Sequence, residues 1–268
     1  MAAKGVRGEG DWVVELPAWS QQDGTGVRFE WGITGARALG PGCAAIVVVD
    51  VLSFTTSVSV AIDAGTRVYP YTFRDRTAAD FAAAHDARLA VGRRAMSAEQ
   101  PWSLSPAALR RAPAPERLVL PSPNGSAISA AVDGVPVIAA CLRNAAVVGD
   151  WIAKQGWGTV DQPIGVIAAG EHWPGRDVLR PAIEDLVGAG AVIAALADHG
   201  VGTLSSEAII ARNTYTGIAD VPGLITDCAS GRELAAIGFG EDVATAIEID
   251  SSATVPVLRD GSFSDASA

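Results

Sequence analysis

The feature that most constrains the fold is one order of residues that recurs four times along the chain. Each time, a short apolar run is followed by a corner of small polar residues or glycine, and then by an alanine-rich stretch with helical spacing. The four units span residues 46–65, 117–134, 136–156 and 163–196. Alternating strands and helices at this spacing are typical of an α/β layered fold. We therefore predict a central, largely parallel or mixed sheet flanked by helices.

The segments between and after these units predict further elements of the same fold. Residues 66–72 and 89–91 indicate two more strands, and residues 75–88 indicate a connecting helix. Residues 228–250 predict a helix, a glycine turn and a second helix. We expect residues 1–43 to be an N-terminal segment that packs on the core, residues 44–260 to form the α/β domain, and residues 261–268 to be a frayed tail.

Composition and charge exclude several classes of partner. The formal net charge is −10 and no stretch is rich in Lys and Arg, which argues against binding a nucleic acid. No apolar run reaches the roughly 20 residues of a membrane-spanning helix, so we expect no membrane partner. The first residues contain no apolar run of signal-peptide length and the three cysteines are widely spaced, so we expect a reducing cytoplasm. The sequence does not decide between a monomer and a homo-oligomer.

Polar side chains follow each of the four predicted strands. In open α/β sheets, ligands collect where the carboxyl ends of the strands meet the following helices. We therefore expect the four corners to face one crevice, and they carry Asp50, Ser53, Thr55 and Thr56; Ser122, Asn124, Gly125 and Ser126; Arg143 and Asn144; and Gly170, Glu171 and His172.

Asp50 is the most informative of these residues because it ends a predicted strand of apolar residues. Burying its carboxylate costs several kcal/mol unless a partner compensates. The partner can be the N-terminus of the next helix, a hard cation such as Mg²⁺, or a substrate phosphorus that the carboxylate attacks. The sequence leaves open whether Asp50 is a ligand, a base or a nucleophile.

The corner at residues 122–127, SPNGSA, suits an oxyanion. Backbone N–H groups before a helix, together with hydroxyl side chains, can hold phosphate, although the same residues also suit an ordinary capped turn. Glu184 and Asp185 begin a helix, and Glu171 follows a glycine at the end of a strand. Mg²⁺ usually binds two or three carboxylates together with waters, so these positions are candidates for a Mg²⁺ site. Glu184 and Asp185 also suit the positive N-terminus of a helix without any metal.

The ordered set of motifs resembles the 2-phosphosulfolactate phosphatases, Mg²⁺-dependent enzymes of the coenzyme M pathway, and their bacterial relatives. The resemblance runs from about residue 44 to residue 260. It rests on VVDVLSFTTSV, on PNGS where the family has TNGT, on CLRN, and on AAGE, IEDLVGAGA and SGRELAAIGFGEDVATAIEID with VPVL behind it.

The resemblance implies a hydrolase that acts on the phosphate monoester of a small anionic substrate. By motif it assigns catalytic roles to Asp50 and Glu184 and metal binding to Asp50, Glu171 and Asp185. The substrate-binding residues expected from the motifs and the corners are Ser53, Thr55, Thr56, Arg94, Asn124, Gly125, Ser126, Arg143 and Asn144.

Two departures from the family concern residues expected to recognise the substrate. Where the family has GER followed by glycine, this chain has residues 92–95 as GRRA, and where the family has GNSP it has residues 103–106 as SLSP. The substrate can therefore differ while the chemistry persists. The alternative is a non-catalytic protein that binds a phosphorylated metabolite. Carboxylates would not strengthen the binding of an anion unless a metal ion were also bound.

Overall fold

The computed structural model describes residues 17–72 and 75–266 of the 268-residue chain. The strands of this part are β1 (Val27–Trp31), β2 (Ala45–Val49), β3 (Arg67–Tyr71), β4 (Arg88–Leu89), β5 (Arg117–Pro121), β6 (Val137–Ala140), β7 (Ile164–Ala168), β8 (Glu171–His172), β9 (Leu179–Arg180), β10 (Pro256–Arg259) and β11 (Ser262–Asp265). The α-helices are α1 (Gly32–Leu39), α2 (Phe54–Asp63), α3 (Arg76–Ala84), α4 (Pro106–Arg111), α5 (Gly125–Ala130), α6 (Ala145–Lys154), α7 (Ile183–Asp198), α8 (Ser206–Gly217), α9 (Val221–Asp227), α10 (Ala229–Ala236) and α11 (Gly240–Ala246).

Nine of these described strands form one mixed sheet in the order β1-β7-β2-β6-β10-β11-β3-β5-β4. The strands of β1-β7-β2-β6 run parallel to one another, as do those of β3-β5-β4. The β10–β11 hairpin joins the two groups through antiparallel pairs on both sides. The predicted layered α/β fold with a largely parallel or mixed sheet is therefore confirmed.

The hairpin reverses the strand direction between the two parallel groups. Three successive antiparallel pairings would point the carboxyl ends of β2 and β5 to opposite edges of a flat sheet. In the structure these two ends meet instead, as shown by the distance of 3.0 Å between the backbone N of Gly125 and Asp50 Oδ2. The sheet therefore curls between β2 and β5.

Helices cover both faces of the first parallel group. The side chains of β2 alternate, with Val47 and Val49 in the core beneath α6 and α7, and Ile46 and Val48 in the core that includes α1, α2 and α5. Burial on both faces explains why β2 is a continuous run of apolar residues. None of the helices in the described part of the chain is both long and apolar enough to cross a bilayer.

Helix α2 depends on its surroundings more than on its own sequence. Nine of its ten residues, including Ser and Thr, are buried, although Ser, Thr and Val are weak helix formers. Tertiary packing therefore stabilises this helix and fixes the corner between Asp50 and Phe54.

The elements predicted outside the four units are present. Strands β3 and β4 and helix α3 correspond to the predicted elements, and α10 and α11 form the predicted helix, glycine turn and helix. Part of the N-terminal segment does more than pack on the core, because β1 pairs with β7 along its length as an edge strand of the sheet.

The expectation of a frayed tail from residue 261 is corrected by the structure. Strand β11 pairs with both β10 and β3, and Phe263 is fully buried against Phe54 with a ring separation of 6.2 Å. The polar residues beside Phe263 concealed the strand, because a lone aromatic gives too little pattern to identify a buried strand in sequence.

We expect Phe263→Ala to lower the free energy of unfolding by about 3–5 kcal/mol, because it leaves a cavity at the centre of the sheet. Ile237→Ala is the control, since that side chain is 44% exposed and its truncation should cost less than about 1 kcal/mol. Urea denaturation of both variants measures the difference. Equal, small losses would mean that the tail is frayed after all.

Candidate active site

Asp50 lies at the centre of the candidate site. It follows β2 directly and is 6% exposed. Its Oδ1 accepts a hydrogen bond from the backbone N–H of Phe54 at 3.0 Å, and its Oδ2 accepts one from the backbone N–H of Gly125 at 3.0 Å. The buried carboxyl thus receives two backbone donors from the corners that follow β2 and β5.

Gly125 is required at this contact. A Cβ at that position would lie 2.2 Å from the Phe54 ring and 2.9 Å from Asp50 Oδ2, closer than nonbonded atoms allow. The glycine therefore lets its backbone N–H approach the carboxylate. This close approach, in addition to the turn, explains why a glycine follows Asn124.

Asp185 makes an equivalent contact from the first turn of α7. Its Oδ1 accepts from Val51 N at 2.7 Å and its Oδ2 from Gly170 N at 2.9 Å. Since Val51 follows β2 and Gly170 follows β7, this carboxyl joins the carboxyl ends of two neighbouring strands. Three of the four corners expected to face one crevice, those after β2, β5 and β7, therefore meet at one place.

Glu171 and Asn124 face each other across this crevice. Asn124 Nδ2 donates to Glu171 Oε2 at 3.0 Å, whereas Asn124 Oδ1 is buried and has no hydrogen-bond partner among the described residues. Glu184 is 2% exposed, and its Oε2 accepts from the Cys228 thiol at 3.4 Å.

Burial and neighbouring carboxylates raise the pKa values of three of these carboxyl groups. Burial raises the pKa of Asp50 to about 6, and the charge of Glu184 adds to this rise. Burial and the charge of Asp50 raise the pKa of Glu171 to about 7. The pKa of Asp185 is raised well above its ordinary value by burial and by the charges of Asp50 and Glu184. Such a cluster holds excess negative charge that a cation would relieve.

The donor set suits a hard cation in its chemistry. It consists of buried carboxylate oxygens and the unpartnered Asn124 Oδ1, which are ligand types that Mg²⁺ prefers. Within residues 17–72 and 75–266, however, no three acidic, His or Cys side chains converge closely enough to hold an ion. Backbone donors fix both aspartates, so coordination would require the longer side chain of Glu171 or Glu184 to move.

Arg93, rather than the predicted Arg94, reaches the site. Arg93 Nη2 donates to Ser53 Oγ at 2.8 Å and its Nε donates to the buried Asp242 at 3.0 Å. Its charge lowers the pKa of Asp50, against the larger effect of burial. The Arg94 side chain is exposed and has no polar partner among the described residues. The two arginines are adjacent in sequence, and only the tertiary structure distinguishes them.

A second cation, Arg180, was not found by sequence reasoning. It ends strand β9, which pairs Arg180 opposite Glu171 in the β8–β9 hairpin. Its charge lowers the pKa of Glu171, and its Nη2 donates to Ser230 at 3.3 Å. The pairing of Glu171 with Arg180 depends on the β8–β9 hairpin. The sequence of this hairpin shows no clear alternation of apolar and polar residues, so the hairpin was not predicted.

The fourth corner, after β6, does not join the cluster. Arg143 is buried beside the far end of α2, where it forms ion pairs with Asp63 and Glu248. Asn144 is fully buried, and its Oδ1 accepts from Cys141 N at 2.8 Å. Both side chains therefore stabilise the fold here, in place of the substrate-binding roles expected from sequence.

The predicted hydroxyl groups serve mainly the backbone of the corners. Thr55 Oγ1 donates to Asp50 O at 2.8 Å, and Thr56 Oγ1 donates to Val51 O at 2.7 Å. Ser126 Oγ donates to Leu120 O at 3.3 Å. Among the predicted hydroxyls, Ser53 differs because its oxygen accepts from an arginine.

Comparison with known families identifies the class of enzyme. A model of the 2-phosphosulpholactate phosphatase family matches residues 37–261, which is most of the chain. The chain belongs to this family. Members of the family hydrolyse phosphate monoesters, so the protein is an enzyme of that class. No curated protein matches the chain.

The raised pKa values of this phosphatase predict a pH-dependent stability in the absence of divalent cations. Asp50 and Glu171 have folded-state pKa values of about 6 and 7, above those of the unfolded chain, so the folded state binds more protons between about pH 4 and pH 7. The stability present at low pH is therefore lost as the pH rises. In EDTA, we expect the free energy of unfolding to fall by about 1–3 kcal/mol between pH 5 and pH 8.

Glu171→Gln should make this fall shallower, because it removes one of the titrating groups and keeps an oxygen for Asn124. Glu207→Gln, at an exposed glutamate of α8, is the matched control and should leave the pH dependence unchanged. Urea denaturation at several pH values measures the slope for each protein. Identical slopes in all three would contradict the electrostatic account of the cluster.

Proposed function

We propose that this enzyme is a Mg²⁺-dependent phosphatase that hydrolyses a small phosphorylated acid, 2-phosphosulfolactate or a related phospho-acid. One observation carries the proposal: four carboxyl groups, those of Asp50, Glu171, Glu184 and Asp185, interact electrostatically at a single crevice beside two arginines. Family membership supports the reaction class.

The arginines are the groups we propose to hold the substrate's anionic oxygens. Arg93 is fixed by Ser53 and Asp242 and stacks against Phe239, which leaves part of its guanidinium for another partner. Arg180 approaches the cluster from the side of Glu171. Two fixed cations at different sides of a crevice suit the three charged oxygens of a phosphoryl group.

Glu171 is the residue we propose for proton transfer. Its pKa of about 7 lies near the working pH of an ordinary enzyme, which favours a general acid or base. Only one of its oxygens is bound by Asn124, so the other can orient a water molecule toward phosphorus. Asp50 and Asp185 are each held by two backbone N–H groups and serve as fixed negative charges.

Asp50 and Asp185 are the proposed Mg²⁺ ligands, with Asn124 Oδ1 as a neutral oxygen donor, and Glu171 is assigned to proton transfer in place of the metal binding expected from the sequence. A bound ion would neutralise phosphoryl oxygens and offset the charge of the cluster. The alternative, a protein that binds a phosphorylated metabolite without catalysis, does not account for four neighbouring carboxyl groups, which would repel an anion in the absence of a metal.

Addition of Mg²⁺ to the metal-free protein should raise the melting temperature and release phosphate from phosphorylated acids such as 2-phosphosulfolactate and 2-phospholactate. Thermal unfolding and a phosphate-release assay measure the two effects. Asp50→Asn is the inactive control, with turnover lowered at least about a hundredfold. Full turnover in EDTA would contradict the metal requirement, and binding of phospho-acids without any turnover would favour the non-catalytic alternative.

Arg93→Ala should lower kcat/KM by about 10- to 100-fold, because a charge-assisted contact to the phosphoryl group is lost. Arg94→Ala is the matched control from the next residue and should leave kcat/KM unchanged. Steady-state kinetics, with melting temperatures to detect any loss of fold, compare the two variants. The reverse order of effects would return the anion-binding role to Arg94.

A further inference from the structure

A second recognition element lies beside the carboxylate cluster. A cleft of about 700 Å³ opens between the start of α1, the start of α5 and the β8–β9 hairpin. Its walls include Trp31, Ile33, Ile128 and Leu179, and Asn124 lies on its floor. The cleft therefore combines an apolar wall with one polar group that belongs to the active site.

Asn124 makes the cleft continuous with the site. Its amide nitrogen binds Glu171, and the same residue lines the cleft. The hairpin that forms one wall also carries Glu171 in β8 and Leu179 in β9. A substrate whose phosphate lies at the carboxylates would extend its remaining atoms along this wall.

Part of the wall is exposed apolar surface. Ile33 and Leu179 are each 37% exposed, although large apolar side chains facing a shared cavity gain from being covered. Arg176 and Asp177, which carry opposite charges, also line the cleft. Ligand clefts of this size commonly accept molecules larger than a three-carbon acid.

We propose that the substrate carries an apolar group, an alkyl chain of several carbons or a ring, on the carbon that bears its phosphate, and that this group occupies the cleft. The inference rests on the proposed phosphatase function and names the substrate class of that same site. In the reaction, the water oxygen forms a bond to phosphorus and the P–O bond to the substrate breaks. The released alkoxide takes the proton that the attacking water gives up, which yields a hydroxy acid and inorganic phosphate.

A homologous series of 2-phosphonooxy alkanoic acids, from three to seven carbons, tests the proposal with the full-length enzyme. We expect kcat/KM to rise about fourfold for each added methylene, the ratio that corresponds to about 0.8 kcal/mol of apolar burial. A flat series, or one that falls with length, would overturn the proposal while leaving the phosphatase function intact.

Ile33→Asn provides the test of location. It should reduce the preference for the seven-carbon over the three-carbon substrate at least tenfold. Ile249→Asn is the matched control, because Ile249 is also 37% exposed but lies outside the cleft, and its length preference should equal that of the unmutated enzyme. An unchanged preference in Ile33→Asn would place the apolar group elsewhere and overturn the assignment.

A binding experiment with ligands that cannot be hydrolysed tests the cleft assignment separately from the proposed phosphatase function. Calorimetric titration with alkylphosphonic acids, which cannot be hydrolysed, should give tighter binding as the alkyl chain lengthens, and Ile33→Asn should weaken the longer ligands selectively. If that pattern holds while no phosphate ester is hydrolysed, the phosphatase proposal fails and the cleft assignment stands. Equal affinity for short and long phosphonates would refute the cleft assignment alone.

Discussion

The bonds from Phe54 N–H and Gly125 N–H to the carboxylate of Asp50 are the interaction on which the rest of the site depends. They join the ends of β2 and β5, which belong to parallel groups that the β10–β11 hairpin sets in opposite directions. A buried carboxylate without partners would cost several kcal/mol, and two charge-assisted hydrogen bonds offset much of that cost. The curl of the sheet and the placement of Asp50 are therefore mutually dependent.

Asp185 extends the same principle to β7, because its two oxygens bind backbone donors after β2 and β7. Each aspartate is thereby held by two backbone donors, whereas one oxygen of Glu171 and one of Glu184 have no hydrogen bond among the described residues. This difference supports the proposed roles, in which the aspartates supply fixed charge and Glu171, with a pKa of about 7, exchanges a proton.

The cations around the cluster show how the site departs from the pattern expected of the family. Arg93 stands where the family pattern has glutamate, and the buried Asp242 and Ser53 hold its guanidinium in place. The family asparagine is replaced by Leu104, and the neighbouring Ser105 hydroxyl binds Asp242 at 2.5 Å. The two departures noted in sequence are thus linked through one aspartate. Together with the apolar cleft beside Asn124, they are the features through which we propose that substrate recognition differs from the family pattern.

The sequence by itself determined the layered α/β fold, the position of Asp50 at the end of a strand and the acidic residues of the site. These features depend on the spacing of apolar residues and on the polar residues that follow each strand, which are local properties of the sequence. It also carried the motifs that identify the family. Only the tertiary structure separated Arg93 from Arg94, moved Arg143 to an ion pair with Asp63, and turned the expected frayed tail into a central strand through Phe263. Those outcomes depend on distances between residues that are far apart in the chain. They also depend on a curled sheet with three antiparallel pairings, which no local sequence pattern predicts.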